Sequence, residues 1–415
     1  MTPAENLFTT LRANEIDATD LSDIAFWHFH SAQDISPNEI IFGGSGGTTQ
    51  YALKFVYKDK KLRQIHAGPT LTAEDIAAVQ AKIALELSQG RPPRVATQVL
   101  FSRIAVDGVW KYRDVFQVLP IPNGSPRGHS LFGGNPFLVQ FAFIPSSEPT
   151  LYASRRFAQA QRICLLLNAL LKTDISMLRN PAFHWVRLPE DSGASRIAFC
   201  QEMYDYSKSG NFPDSGSFAS VDGTAPLTAI EPREYYTRTI TVNDPGQTLE
   251  IPSNLELLLD RFHSSTALDQ DRFLRACFWL RHAQDVFGDS TSAGFTALVR
   301  AIESIMPQDK SAGTCPSCKR SIGRGSVARL TAFLDEFVPR APKLQHARAT
   351  LYYGLRSQLS HGGALTFRDR NPFGPGLTAE AIEEDKITRE VAQLVRVTLV
   401  NWLHSRIPLL LTLAD

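Results

Sequence analysis

Phe295-Thr-Ala-Leu-Val-Arg-Ala-Ile-Glu-Ser-Ile-Met306 is the stretch that decides how the C-terminal part of this chain is built. Phe295, Leu298, Val299, Ile302, Ile305 and Met306 recur three and four positions apart, which puts them on one side of a helix. Pro307 closes the stretch, because proline lacks the N–H that a continuing helix needs. The same period recurs on both sides. Upstream, Leu255, Leu258, Leu259 and Phe262 form a short apolar face. Residues 269–287 then read as a long amphipathic helix with Phe273, Leu274, Cys277, Leu280 and Val286 inside. Downstream, helices are predicted over 327–337, 343–360 and 378–413. Amphipathic helices joined by short connections predict an all-α helical bundle over 251–415.

Residues 1–250 read differently, as an α+β domain with a recognition or sensor role. Tyr51 to Tyr57 alternates as a strand does, and Phe137 to Ile144 is a second strand, closed by Pro145. Asp107-Gly108 sits between two β-rich runs and predicts a hairpin turn. One helix has a clear start: Thr72 as cap, Asp75 at the capping-box position, then Ile76, Val79, Ile83 and Leu87 on one face. A second helix is predicted over 151–171, with Arg155, Arg156 and Arg162 on its polar side. Residues 207–220, rich in Ser, Gly, Asp and Pro, predict an exposed loop, and 235–242 a last strand. His28 and His30 alternate beside Trp27 and Phe29 on a possible strand face, without a third metal ligand. Gly43 to Gly47 is glycine-rich but lacks the Gly-Lys-Ser/Thr ending of a phosphate-binding loop, so a connection between strands is expected.

At 415 residues the chain is long enough for two cores, and its 43% hydrophobic and 20% charged residues exclude global disorder. The N-terminus has neither a basic nor an apolar segment of the secretory kind. The apolar run at 391–413 is broken by Arg396, His404, Arg406 and Pro408, so it predicts a buried or dimer-facing helix and no membrane span. Five cysteines make a disulfide framework improbable, and a cytoplasmic location is expected. A net charge of +1 hides a local imbalance: residues 310–370 hold eleven Lys/Arg against Asp335, Glu336 and Asp369. Such a segment attracts phosphate backbones, unless the acidic run 380–385 balances it in space.

Within that segment lies Leu351-Tyr-Tyr-Gly-Leu-Arg-Ser-Gln-Leu-Ser-His-Gly-Gly363. Leu351, Leu355 and Leu359 repeat every four residues and should face the core. Tyr352, Arg356 and Ser360 then share a neighbouring stripe, and His361 falls where Gly362-Gly363 ends the helix. Arg356 and His361 lie about 500° apart around an ideal helix, so they line one cleft only if the last turn unwinds. Taken alone, the pattern suits a plainer role better: His361 on the helix dipole, Arg356 in a salt bridge, the glycines as a cap.

The Arg-x4-His element at a helix end, preceded by Leu-Tyr and followed by Gly, resembles the signature of the HEPN superfamily. Leu298-Val-Arg-Ala-Ile-Glu-Ser-Ile305 resembles the corresponding helix of its Apea-like branch. The resemblance covers roughly residues 255–410. It implies a dimerising helical bundle that cleaves RNA without a metal, in proteins often found in prokaryotic antiviral defence or toxin systems. Cleavage by attack of the 2′-hydroxyl on the adjacent phosphate needs a base, an acid and a cation. A two-fold axis near His361 would gather two histidines and two arginines in one cleft, so a homodimer is expected. His361 would then transfer protons and Arg356 would hold the phosphoryl oxygens. Glu303 could orient Arg356 from the facing helix. Two positions depart from the family pattern: Gly363 stands where a modifiable Tyr is often found, and Ser357 follows the Arg in place of a larger polar residue. The alternative is a non-catalytic HEPN-like module that binds RNA, nucleotide or protein. For an enzyme centred on the N-terminal half the sequence offers no nucleophile–base pair.

Catalysis of this kind requires no cofactor, but Cys315-Pro-Ser-Cys318 is a turn that could give two thiolates to a structural zinc. The missing pair would come from His346, a distant Cys, or the same turn in a second protomer.

Overall fold

The computed structural model describes residues 18–44, 50–58, 61–87, 92–122, 127–128, 135–146, 149–177, 185–187, 197–199, 214–238, 247–307, 313–314, 321–322, 326–338, 342–352, 365–371 and 378–405. The chain divides into two compact units, neither continuous in sequence. One comprises residues 1–96, 141–160 and 214–218; the other comprises 97–140, 161–213 and 219–415.

In the first unit, β1 (Ala32–Ser36), β2 (Glu39–Phe42), β3 (Leu53–Lys58) and β4 (Lys61–Ala67) form an antiparallel meander in that order. Alternation along β3 turns Leu53 and Phe55 inward, and the register sets Leu53 opposite Phe42 and Phe55 opposite Ile65. These four side chains pack on Leu21, Ile24 and Ala25 of α1 (Ala18–Phe29) and on Val79 of α2 (Ala73–Leu87). Trp27 and His28 therefore sit on a helix, not on the strand their β-favouring side chains suggested, and His28 Nε2 lies 3.1 Å from the Asp75 carboxylate. Leu21, Ile24 and Ala25, three and four apart, are the helical signal that wins. The start of α2 is as expected: Thr72 Oγ1 accepts from the Asp75 N–H at 3.1 Å, and the Asp75 carboxylate accepts from the Thr72 N–H at 3.0 Å. Tyr152 and Arg156 of α3 (Pro149–Leu170) hold the Asp214 carboxylate, and Ser215 bridges Val95. The end of the predicted 207–220 loop is thereby tied down; residues 200–213 lie outside the described residues.

The second unit opens with a five-stranded sheet in the order β10-β5-β9-β7-β6, built from β5 (Arg94–Ser102), β6 (Trp110–Tyr112), β7 (Phe116–Pro120), β9 (Asn135–Phe143) and β10 (Ile175–Met177). The division between the units falls inside β5, β9 and α3. The tight hairpin here is β6–β7, turning at Arg113 with a positive φ of 48°, and not at Asp107-Gly108. Gly108 serves a close approach instead: a Cβ there would lie 2.9 Å from Leu227 N and 3.0 Å from Ala225 O. A three-stranded sheet of β8 (Arg127–Gly128), β11 (Trp185–Arg187) and β12 (Ile197–Phe199) also lies in this unit. The strand predicted over 235–242 is corrected as well. Glu231 caps α4 (Pro232–Thr237) by accepting from the Glu234 N–H at 2.9 Å, Pro232 occupies the first turn, and Tyr235 and Tyr236 are buried. The Glu-Pro-Arg-Glu start outweighs the β-preference of the two tyrosines.

After a parallel pair, β13 (Thr228–Ile230) with β14 (Glu250–Pro252), the regular elements among the described residues are helices, apart from one two-residue-per-strand hairpin, β15 (Gly313–Thr314) with β16 (Ser321–Ile322). The helices are α5 (Leu255–Ser264), α6 (Ala267–Val286), α7 (Thr291–Ile305), α8 (Ser326–Phe337), α9 (Pro342–Tyr352), α10 (Phe367–Arg370) and α11 (Ala379–His404). The strand-bearing half followed by a helical half is thus present. Leu255, Leu258, Leu259 and Phe262 are buried on α5, as are Phe295, Leu298, Val299, Ile302 and Ile305 on α7.

α11 is the helix the others share. It contacts α5, α6, α7, α8, α9 and α10, and Val391, Leu394, Val395, Leu399, Val400 and Leu403 are fully enclosed. Each such side chain contributes about 1.5–3 kcal/mol of burial. Trp402 stacks on Phe273 at 6.0 Å, and Asn401 Nδ2 donates to the Phe337 carbonyl at 2.8 Å. The apolar run belongs to this core as far as His404, residues 406–413 lying outside the described residues, and no helix among the described residues is long and apolar enough to cross a membrane.

Candidate functional site

Arg356, Ser357 and His361 lie outside the described residues, as do Cys315 and Cys318; Tyr352 is the last residue of α9. What is defined is the frame on either side of the Arg356–His361 segment. Before it, α9 buries Leu344, Ala347, Arg348 and Leu351, the spacing of an inward helical face, and packs on α11. Arg348, only 6% exposed, donates to the Val338 carbonyl at 3.0 Å and pairs with Asp335. Leu351 faces the core, as its spacing predicts.

After the segment, the chain is fastened to the start of α7. Thr366 N–H donates to Ser292 Oγ at 2.9 Å. The Asp369 carboxylate accepts from the Thr291 and Ser292 N–H groups at 2.9 Å each and from the Ser290 hydroxyl at 2.8 Å. The two amides are orphan donors of the first turn of α7, where a negative charge also meets the positive end of the helix dipole. Burial pushes the Asp369 carboxyl up, but its hydrogen bonds with Ser292, Ser290 and Thr291 outweigh that and hold it below its ordinary value. Glu384 of α11 repeats the device, accepting from the Phe367 and Arg368 N–H groups at 2.7 and 3.0 Å.

The basic segment is partly consumed by the fold. Arg348 is paired inside, and Arg368 bonds Asp385 at 2.6 Å, within the acidic run weighed against it. His346 lies 3.0 Å from Glu390 and 3.8 Å from Glu383.

Glu303 stands exposed on the outer face of α7. It borders a cleft of about 210 Å³ between α6 and α7 that also takes in Arg272, Arg275, Trp279, Arg300 and Ser304. The Arg300 guanidinium sits 5.0 Å above the Trp279 ring. Sequence reading passed over Trp279 and the three arginines. The available signal was Arg272, Arg275 and Trp279 at intervals of three and four on one helix.

Of the thiols that could complete a zinc site, Cys164 and Cys277 are buried in the core, and burial pushes the Cys277 thiol far above its ordinary value. No cluster of three or more metal-ligating side chains occurs among the described residues.

No protein-family model matches the chain, and neither a curated protein nor a solved structure is matched.

Proposed function

We propose that this chain is a metal-independent endoribonuclease of HEPN type, acting as a homodimer through Arg356 and His361. The observation that supports it is the double anchoring of their segment: α9 leads in with its inner face buried, and the Thr366–Asp369 clasp leads out onto α7. The described residues on either side of the segment are thereby each tied to the helical bundle.

In the reaction, one His361 takes the proton of the ribose 2′-hydroxyl and the oxygen attacks phosphorus. The bond from phosphorus to the 5′-oxygen breaks, and the partner's His361 protonates that leaving oxygen. The products are a 2′,3′-cyclic phosphate and a 5′-hydroxyl end. Arg356 stabilises the charge on the phosphorane oxygens. Antiviral defence or a toxin system is the setting the resemblance suggests.

Incubation of the protein with total RNA in EDTA should give these ends, and His361→Ala and Arg356→Ala proteins of unchanged stability should give none. Cleavage that persists in both variants overturns the proposal. RNA binding without cleavage by the unaltered protein favours the non-catalytic module instead.

A structural zinc at Cys315 and Cys318 is part of the same proposal. With Cys164 and Cys277 buried, its other ligands come from His346, Cys200 or a second protomer. Metal analysis should find zinc that is lost in Cys315→Ser; a metal-free purified protein removes this element.

A further inference from the structure

We propose that the α6–α7 cleft holds one nucleotide of a single-stranded RNA, its base stacked on the Arg300–Trp279 pair and its phosphates on Arg272 and Arg275. The proposal rests on the ribonuclease reading only for the choice of RNA as the polymer.

Four observations carry it. First, Arg300 is exposed, its guanidinium carbon lies 5.0 Å from the centre of the Trp279 ring, and it forms no ion pair with any described residue. A guanidinium already backed by an indole is a preorganised platform: its outer face is planar, cationic and suited to a base. Second, the neighbouring cations pair locally, within α6. Arg275 reaches Asp271 at 3.2 Å with both side chains more than half exposed, and Arg272 reaches Asp269 at 3.5 Å. The exposed Arg275–Asp271 pair is worth about 0–1 kcal/mol, so a phosphate displaces it readily, and the buried Asp269 keeps its hydrogen bond from Thr266 when Arg272 turns to a phosphate. Third, the aromatic surface continues along α6. His282 packs edge-on against Trp279 at 5.7 Å and parallel to Phe278 at 6.0 Å, and Phe278 is 41% exposed. Arginines interleaved with aromatic rings along a helix are how sequence-tolerant binders follow a single strand. Fourth, the cleft of about 210 Å³ is smaller than the roughly 300 Å³ or more that a self-contained small ligand occupies. It suits one unit of a chain whose neighbours lie along the helix. Glu303, the one carboxylate of the lining, is an acceptor of the type that meets base amino groups.

The test is fluorescence anisotropy of a labelled single-stranded RNA 12-mer, and of its duplex, with the full chain carrying His361→Ala to suppress cleavage. Arg300→Ala should weaken single-strand binding about tenfold, near the middle of the range for one stacking contact. Arg300→Lys, which keeps the charge but loses the plane, should recover little of it. Arg272→Ala with Arg275→Ala should weaken binding and lower the dependence on salt. Duplex binding should change least.

Unchanged single-strand affinity in Arg300→Ala overturns the proposal. So does full recovery with Arg300→Lys, or an equal loss for the duplex, since either reduces the cleft to unspecific charge. Displacement of the RNA by an equimolar acidic peptide would assign the surface to protein and also overturn it. The outcome is separate from that of the catalytic reading. Cleavage independent of His361 leaves the binding result standing, and His361-dependent cleavage with unaltered binding in the Arg300 variants removes only the cleft.

Discussion

Replacing Asp369 with Ala should loosen the start of α7, and the structure sets the size of the effect. The substitution removes one carboxylate that accepts from the Thr291 N–H, the Ser292 N–H and the Ser290 hydroxyl. Three charge-assisted hydrogen bonds would be worth several kcal/mol if their donors were left dry, at about 1.5–3 kcal/mol each. Asp369 is only half-buried, so water replaces part of that, and the loss of a helix cap is the better scale at about 1 kcal/mol. The lost attraction to the helix N-terminus adds roughly 0.3–1 kcal/mol. The total is about 1.3–2 kcal/mol, or roughly 10- to 30-fold in a local opening equilibrium. Amide hydrogen exchange over Ala293 to Phe295 should accelerate by that factor while the core of α11 is unaffected. Asp369→Asn, which keeps one acceptor and no charge, should fall about halfway. The sign with pH follows from the lowered carboxyl: its contribution is fully present above the unfolded value of about 3.9 and is lost as pH falls through the lower folded one. Unaltered exchange at these amides in Asp369→Ala would refute the clasp and, with it, the downstream anchor of the Arg356–His361 segment.

Three further substitutions test the frame. Asp335→Ala removes the counter-charge from the buried Arg348 and should cost about 3 kcal/mol by urea denaturation, but almost nothing in an Arg348→Met background; equal costs in both would deny the coupling. Gly294→Ala places a methyl into the Phe287 ring, so it should lower stability by about 1–3 kcal/mol, with recovery in Phe287→Leu; a thermal midpoint equal to the parent's would count against this packing. Burial, then the charges of Arg396 and Arg238, pushes the Lys172 ammonium down to about 7, against an unfolded value of about 10.4. The folded state therefore disfavours the charged form, the penalty is complete below pH 7, and stability rises with pH between those values. Relative to the parent, Lys172→Met should gain most at pH 6 and lose that gain towards pH 10; a difference independent of pH speaks against it.

Where the sequence was legible, one physical signal was undisputed. The α7 stretch has apolar residues at helical spacing and a proline at its end, and the helix stops one residue short of Met306. Thr72 and Asp75 satisfy each other's donors whatever the tertiary context, so that start was also readable. Errors came where two local signals competed. Tyr235 and Tyr236 favour a strand, yet Glu231-Pro232 starts a helix and burial of both rings settles it. Asp107-Gly108 resembles a turn, but Gly108 is needed because another backbone passes within about 3 Å, a long-range fact absent from local sequence. The Arg300–Trp279 platform was invisible for the same reason. Its members come from two helices, and their register depends on packing that leaves Gly294 against Phe287. The reading of Arg356 and His361 rests on a local pattern, and both lie outside the described residues.

The distribution of positive charge changes the meaning of the basic segment. Read linearly, eleven Lys/Arg over 310–370 look like one surface for a polyanion. In the fold, Arg348 is turned inward and Arg368 is balanced by Asp385, so neither is available to a phosphate without disturbing the bundle. Long-range attraction depends on net exposed charge, whereas discrimination of a single strand depends on planar groups held rigidly. The first requirement is left to the remaining residues of the segment. Under the single-strand proposal, the second falls to the other helices, where Arg300 is exposed, backed by Trp279 and flanked by Arg272 and by Arg275, whose partner Asp271 is exposed. Under that proposal, single-stranded RNA binds more tightly than duplex and with a steeper salt dependence, because its phosphates add contacts to Arg272 and Arg275. That difference reports on the α6–α7 surface rather than on total charge.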